Sequence, residues 1–324
     1  MKRRIFPPLL KPSTKALAQE ARKARDYSLF DFLHGYVYAR WPYLYIGIAT
    51  GEHPAAKVLL PFFSRFFNAE RSDGRRGEGT KDLPEESRGD RTRGKPTFAD
   101  TYHGKVVPLD GARRLVTIGE EIELSCPEQV IPYSRAREII LRNPDHIVVL
   151  DCPCRASRQD PCHPLDVCLI VGEPFASFVA EHNPGRTRQI TQAEAVDILE
   201  AEDKRGHVHH AFFKNAMVNR FYAICNCCSC CCGAMQAQRN GTPMLASSGY
   251  VCRPDTDLCE GCGECLEFCQ FGALSLRDGH SSVNETQCMG CGVCRSKCAN
   301  GALSLVREPA RGEPLEILEL MKQA

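Results

Sequence analysis

The sequence contains no apolar run long enough to cross a bilayer. Its longest candidate, Trp41 to Gly51, is eleven residues, about half of the roughly 20 that a spanning helix needs. Several catalytic and nucleotide signatures are also missing. No G-x-G-x-x-G follows a strand to open a helix, and no G-x4-G-K-[ST] is present, so dinucleotide and phosphate-loop sites have no support. Neither G-x-S-x-G nor H-E-x-x-H occurs. An excess of one charge is absent as well: 41 Lys+Arg against 40 Asp+Glu leave a net +1, which gives no global reason to expect nucleic acid as a partner. An export signal is not expected either. Arg3-Arg4-Ile5-Phe6 has the arginine pair of a twin-arginine leader, but Pro7, Pro8 and Lys11 interrupt the apolar run that such a leader requires. The expected location is the cytoplasm, where thiols stay reduced.

What is abundant is cysteine, twenty in 324 residues. In a reducing compartment, clustered cysteines point to metal rather than to disulfides. Eight of them form an internal repeat. Cys259, Cys262, Cys265 and Cys269 recur 29 residues later as Cys288, Cys291, Cys294 and Cys298, each set reading C-x2-C-x2-C-x3-C. Eleven of the eighteen positions from 259 to 276 match their partners, including Gly261/Gly290, Gly263/Gly292 and the run Gly-Ala-Leu-Ser-Leu at 272–276 and 301–305. A cubane needs four thiolates around a compact core. Two-residue gaps let a tight loop reach three corners, and glycine keeps side chains away from the inorganic sulfides. The fourth cysteine starts a short helix, faces away and ligates the other cluster. The expected sets are therefore Cys259, Cys262, Cys265 and Cys298 for cluster one, and Cys288, Cys291, Cys294 and Cys269 for cluster two. A zinc ribbon also pairs C-x2-C units, but four cysteines in an eleven-residue run, twice over, fit zinc badly.

Over about 252–307 these residues resemble the bacterial two-[4Fe–4S] ferredoxin family. The resemblance implies a compact α+β fold with pseudo-two-fold symmetry and low-potential, one-electron transfer between redox partners. Gln270 and Ala299 stand where the family usually has proline after the fourth cysteine. Eight acids against five Lys/Arg over 252–310 suit docking to a basic patch on a redox protein.

Twelve cysteines remain. Cys126 and Cys252 read as small buried hydrophobes. Cys152, Cys154, Cys162 and Cys168 form C-x-C-x7-C-x5-C, and residues 225–232 put six cysteines into eight positions. Thiolates so crowded repel one another unless a cation relieves them. The expectation is an additional iron–sulfur or zinc centre drawn from Cys152, Cys154, Cys162, Cys168, Cys227, Cys228, Cys230 and Cys231, with disulfides or idle thiols as the bland alternative. Spacing does not pair them. The Asp-Cys-Pro-Cys-Arg and Cys-Asn-Cys-Cys segments resemble those of larger cysteine-rich, ferredoxin-like proteins of anaerobes. His207, His209 and His210 follow the Thr191-capped helix and offer further ligands, but read first as a surface group.

The expected organisation is α+β. A helical, aromatic-rich region fills 1–68, with one helix over 13–40 and Tyr36, Tyr38, Trp41, Tyr43, Tyr45, Phe62, Phe63, Phe66 and Phe67 as core or docking surface. Residues 69–97 read as a flexible linker, since fifteen of the 27 residues from 69 to 95 are charged and five are glycine. Residues 98–250 form a mixed α/β, cysteine-rich domain. Its expected elements are a strand at Arg114–Ile118, a helix capped by Ser134 and running to 141 or 142, strands at 147–150 and 167–171, and a helix capped at Thr191 and stopped at Gly206. The two-cluster unit occupies 251–310, and a helical tail 311–324. The function expected is single-electron transfer to redox protein partners, with no nucleic acid and no transmembrane segment; peripheral membrane contact stays open. Two rivals are a reductase subunit whose substrate binds at the upstream centre and a metallochaperone or cluster-assembly factor.

Overall fold

The structure, a computed structural model, describes residues 11–56, 102–133 and 135–324. The arginine pair at 3–4, the linker at 69–97, the four phenylalanines between 62 and 67 and the cap at Ser134 lie outside the described residues.

Three helices come first: α1 (Pro12–Lys23), α2 (Leu29–Arg40) and α3 (Pro42–Ala49). The single helix expected over 13–40 is two. The chain breaks where Asp26 takes a positive φ of 52°, and Ser28 restarts it. The Ser28 hydroxyl accepts from the Asp31 amide at 3.1 Å while the Asp31 carboxylate accepts from the Ser28 amide at 2.9 Å, which satisfies donors that a helix start leaves free.

The central part runs β1 (Tyr102–Val107), α4 (Leu109–Val116), β2 (Ile122–Ser125), β3 (Glu138–Asp151), α5 (Pro153–Ala156), β4 (Asp166–Glu173), α6 (Phe175–His182), β5 (Thr187–Ile190), α7 (Gln192–Lys204), β6 (Val208–Lys214), β7 (Arg220–Cys227), α8 (Gly233–Arg239) and β8 (Leu245–Ala246). The strands form one sheet in the order β2-β3-β4-β7-β6-β1-β8, with β5 on β3. Neighbours in that order are antiparallel except β1 and β8. Both faces are covered. Ile147 and Val149 enter the core beneath α4 and α7, while Val148 and Leu150 enter the opposite core beneath α6 and the N-terminal helices. That explains why 147–150 is apolar without alternation.

Two expected elements are corrected. Residues 114–116 are the last turn of α4, because Ala112, Leu115 and Val116 are spaced to bury one helical stripe; the β-branched look of Leu-Val-Thr-Ile is overridden by packing. The helix expected up to 141 or 142 is the first half of β3, where Ile139, Ile140 and Leu141 pair with β2. Pro144 does not end this strand: the register to β4 slips between Arg142 and Ile147, and Asn143 takes a positive φ of 48°. Proline is tolerated at such a bulge.

The C-terminal unit comprises β9 (Tyr250–Pro254), α9 (Glu264–Glu267), a β10–β11 hairpin (Leu274–Arg277 and His280–Val283), α10 (Val293–Lys297) and β12 (Leu303–Arg307), with β9 and β12 antiparallel. Its small core is largely sulfur: Cys252, Cys265, Cys288 and Cys294 beside Val251, Ala273 and Leu303. The tail helix α11 (Ile317–Gln323) returns to the central sheet, where Leu315 and Ile317 are buried. Among the described residues no helix is long and apolar enough to cross a membrane.

The N-terminal helices dock through His182 at the end of α6. Its Nδ1 lies 2.9 Å from Arg40 Nη1 and its Nε2 lies 2.9 Å from Thr14 Oγ1. Arginine can only donate, so the ring is neutral and Nε2–H faces Thr14. Burial, then Arg40 and Lys11, depress its pKa to about 4. A basic group with a depressed folded pKa contributes full stability above its ordinary value, about 6.5, and loses it as pH falls toward the folded value. We predict that the denaturation midpoint drops between pH 6.5 and 4 and that His182→Gln flattens this part of the profile. A variant profile parallel to that of the native protein would refute the assignment.

Candidate metal centres

In the C-terminal unit, Gly263 and Gly292 hold left-handed φ values of 79° and 85° and start α9 and α10. A side chain at either would strain the turn that aims the third cysteine of each run inward. Backbone amides face the sulfurs. The amides of Ser281 and Cys252 donate to Cys259 Sγ at 3.3 Å and Cys288 Sγ at 3.4 Å. Those of Ala273 and Ala302 donate to Cys269 Sγ at 3.2 Å and Cys298 Sγ at 3.3 Å. Such donors stabilise negative sulfur. Cys269, from the first run, lines one cavity with Cys288, Cys291 and Cys294 of the second. Cys294, Cys262 and Cys298 are all near enough to Cys265 for their charges to interact. Cys252 is buried as expected, but it is more than filler: its Sγ lies 3.5 Å from Cys294 Sγ, and Ser281 Oγ lies 3.6 Å from Cys265 Sγ.

Upstream, the eight pooled cysteines do not form one group. Cys162, Cys228, Cys230 and Cys231 place four sulfurs within 4.8 Å of one another, with Cys162–Cys230 at 3.1 Å and Cys230–Cys231 at 3.7 Å. Among the described residues this is the group of potential ligands that closes so tightly. Cys230 is exposed and Cys228 and Cys231 are buried. The loop is held by its carbonyls: Arg158 Nη2 donates to that of Cys231 at 3.0 Å, Gln236 Nε2 to that of Cys230 at 2.8 Å, and Arg239 to that of Ser229. Burial, then the crowding thiols, pushes the Cys162 and Cys228 thiols up. A cation at the centre would reverse this and release the protons.

Cys152, Cys154, Cys168 and Cys227 lie instead around a cavity of about 60 Å³ together with Cys225 and Cys232. Sequence reasoning left out the last two. A signal for Cys225 was there, since residues 225 and 227 of one strand share a face.

The three histidines are corrected. His207, His209 and His210 are buried, because β6 lies inside the sheet between β7 and β1. His207 Nδ1 contacts Glu202 Oε2 at 2.6 Å and His209 Nδ1 contacts Asn226 Oδ1 at 2.6 Å. Burial, then His209, depresses the His210 pKa to about 3. None belongs to the four-sulfur group or lines the cysteine cavity.

The C-terminal unit touches the upstream loop through Gln270, the residue after Cys269. Its Oε1 accepts from the Ser229 amide at 2.8 Å and its Nε2 donates to the Gly206 carbonyl at 2.9 Å. A proline here would have neither group, which gives the departure from the ferredoxin pattern a physical reason.

The 4Fe-4S binding domain family matches residues 253–275, which contain the first cysteine run. Two similar proteins are H(2):CoB-CoM heterodisulfide,ferredoxin reductase subunits A. That of Methanothermobacter thermautotrophicus is 49% identical over 52 residues, 15% of this chain and 8% of the relative. That of Methanothermobacter marburgensis is 53% identical over 30 residues, 9% of this chain and 5% of the relative. The chain thus matches less than a tenth of the length of either. The C-terminal part of the chain contains a 4Fe-4S binding domain, which indicates at least one [4Fe–4S] cluster there.

Proposed function

We propose that this protein passes single electrons through two C-terminal [4Fe–4S] clusters, held by Cys259, Cys262, Cys265 and Cys298 and by Cys288, Cys291, Cys294 and Cys269. The observation that carries the reading is the cavity in which Cys269 sits among the thiols of the other run. Three pairs of contacts support an internal two-fold. The donors to Cys259 and Cys288 and to Cys269 and Cys298, and the side-chain partners of Cys265 and Cys294, each recur 29 residues apart. Ser281 and Cys252 are counterparts in this scheme, one hydroxyl and one thiol, so the clusters are electronically inequivalent.

The four-sulfur group of Cys162, Cys228, Cys230 and Cys231 is a metal centre at the end of this path. Metal–thiolate bonds of about 2.3 Å around a tetrahedron put sulfurs about 3.8 Å apart. A cubane sets its terminal thiolates much farther apart. The observed spacing favours a single ion, zinc or iron. In native protein prepared anaerobically, C162S/C230S should remove one metal ion per chain and no acid-labile sulfide. Loss of sulfide with several iron would show that a cluster occupies this group and overturn the single-ion reading.

The matched relatives are named as reductase subunits, and this favours a second reading in which the chain is one subunit of a redox complex. Exposed Cys230 would then face the substrate or the partner. A substrate-dependent change at the upstream metal, with unchanged C-terminal EPR signals, would distinguish it from a pure relay.

A further inference from the structure

Behind the four-sulfur group lies a second collection of cysteines, built from different elements. Cys152 and Cys154 come from the turn after β3, Cys168 from β4, Cys225 and Cys227 from the end of β7, and Cys232 from the start of α8. Cys168 and Cys225 are cross-strand partners with sulfurs 3.4 Å apart. The other four thiols, Cys152, Cys154, Cys227 and Cys232, are near enough to one another for their charges to interact. All six border one cavity of about 60 Å³, which Cys228 and Cys231 of the four-sulfur group also touch; it is well above the roughly 10–15 Å³ that one water needs. Helices α2 and α3 close it from above with Tyr38, Ala39, Pro42 and Ile46. Tyr38 and Tyr222, whose hydroxyls are 2.8 Å apart, stand in its wall.

The chemistry of this lining is selective. No carboxylate and no histidine is in it, and its one fully charged group is Arg155, which is buried. Hard cations that want oxygen have no ligand here; sulfur selects soft metals and iron–sulfur clusters. The net charge of the wall is positive until the thiols ionise, which suits an occupant that is anionic once bound. Geometry narrows the choice. No four of these six sulfurs close within 4.8 Å of one another as the surface group does, so one tetrahedral ion does not gather them. Several metal atoms joined by bridging sulfide span such a cavity, a close pair such as Cys168 and Cys225 sharing one iron and each thiol giving up its proton to solvent or base as it binds.

We propose that this cavity is a separate metal site, holding a polynuclear iron–sulfur cluster on ligands drawn from Cys152, Cys154, Cys168, Cys225, Cys227 and Cys232. The site is distinct from the C-terminal clusters and adjoins the surface ion, whose ligands Cys228 and Cys231 also line the cavity; its iron and sulfide are counted above those of the two C-terminal clusters proposed above. The N-terminal helices then serve as its cover. They keep water from the cluster, which sets its solvent exposure and hence its potential.

The test uses full-length protein expressed and purified anaerobically, with iron, zinc and acid-labile sulfide measured per chain and native mass spectrometry of the intact protein. Two C-terminal cubanes account for about eight iron and about eight sulfide. The native protein should carry more of both. C168S/C225S should lose iron and sulfide together while keeping the C-terminal EPR signals and the surface ion, and C162S/C230S should keep the extra sulfide. Sulfide at or below about eight in the native protein overturns the proposal even if the variant fails to fold. So does C168S/C225S that retains its C-terminal signals and all of its sulfide. If C162S/C230S removes the extra sulfide as well, the two cysteine groups are one site and the separation is wrong.

Discussion

Cys298→Ser will cost the same cluster as Cys262→Ser, although the two residues belong to different runs of the repeat. Each variant should lose about four of the eight C-terminal iron atoms, since a cubane missing one thiolate is labile and contains four irons. The surviving EPR signal should be identical in the two proteins. Cys269→Ser should remove the other cluster and leave the complementary signal. The basis is physical proximity: Cys269, from the first run, shares a cavity with Cys288, Cys291 and Cys294 of the second. If Cys298→Ser and Cys288→Ser give matching spectra, each run serves its own cluster and the crossed assignment fails. A loss of all iron in every variant would indicate that the unit folds only with both clusters. Spectra of the partially loaded native protein then decide the pairing.

The second large effect concerns Arg155. Its guanidinium is buried and donates to Glu202 Oε2 at 2.5 Å and to the Asn226 and Pro164 carbonyls at 3.0 and 2.5 Å. Arg155 and Glu202 side chains are each 1% exposed. Removing one partner of a buried pair leaves an uncompensated charge and costs roughly 3–5 kcal/mol. An exposed pair such as Arg142–Glu123 is worth about 0–1 kcal/mol. Arg155→Met should therefore lower the unfolding free energy by roughly 3–5 kcal/mol, measured by denaturant on the metal-loaded protein, and Arg142→Met by less than about 1 kcal/mol. R155M/E202L should recover a large part of the loss, because the orphaned carboxylate is gone. The bonds of Arg155 reach the turn after β3, the end of α7 and β7 at once, so its loss should also loosen both upstream cysteine groups. An Arg155→Met protein as stable as the native one would mean that Arg205 and His207, which also bond to Glu202, suffice to compensate it.

Local spacing carried much of this protein. The C-x2-C-x2-C-x3-C runs pointed to the kind of cofactor before any fold was known, because three ligands of such a cubane come from one tight loop and a loop is short in sequence. The apolar run at 147–150 and the Thr191 cap marked β3 and α7 for a similar reason: their signals span a few residues. The helix expected before Pro144 failed because strand pairing with β2 is a distant event, invisible in the local pattern of Ile139, Ile140 and Leu141.

By itself, then, the sequence determined that the C-terminus carries cysteine runs built for iron–sulfur chemistry and that further thiols cluster upstream. Only the tertiary structure decided how those upstream thiols divide. Cys162 meets Cys230 across 68 positions, and Cys168 meets Cys225 across 57. Such meetings are set by which strands pair and which turns fold back. The same pairing buried His207, His209 and His210, and folded α2 and α3 over the cysteine cavity. Contacts at that separation are products of the closed sheet, and no spacing along the chain encodes them.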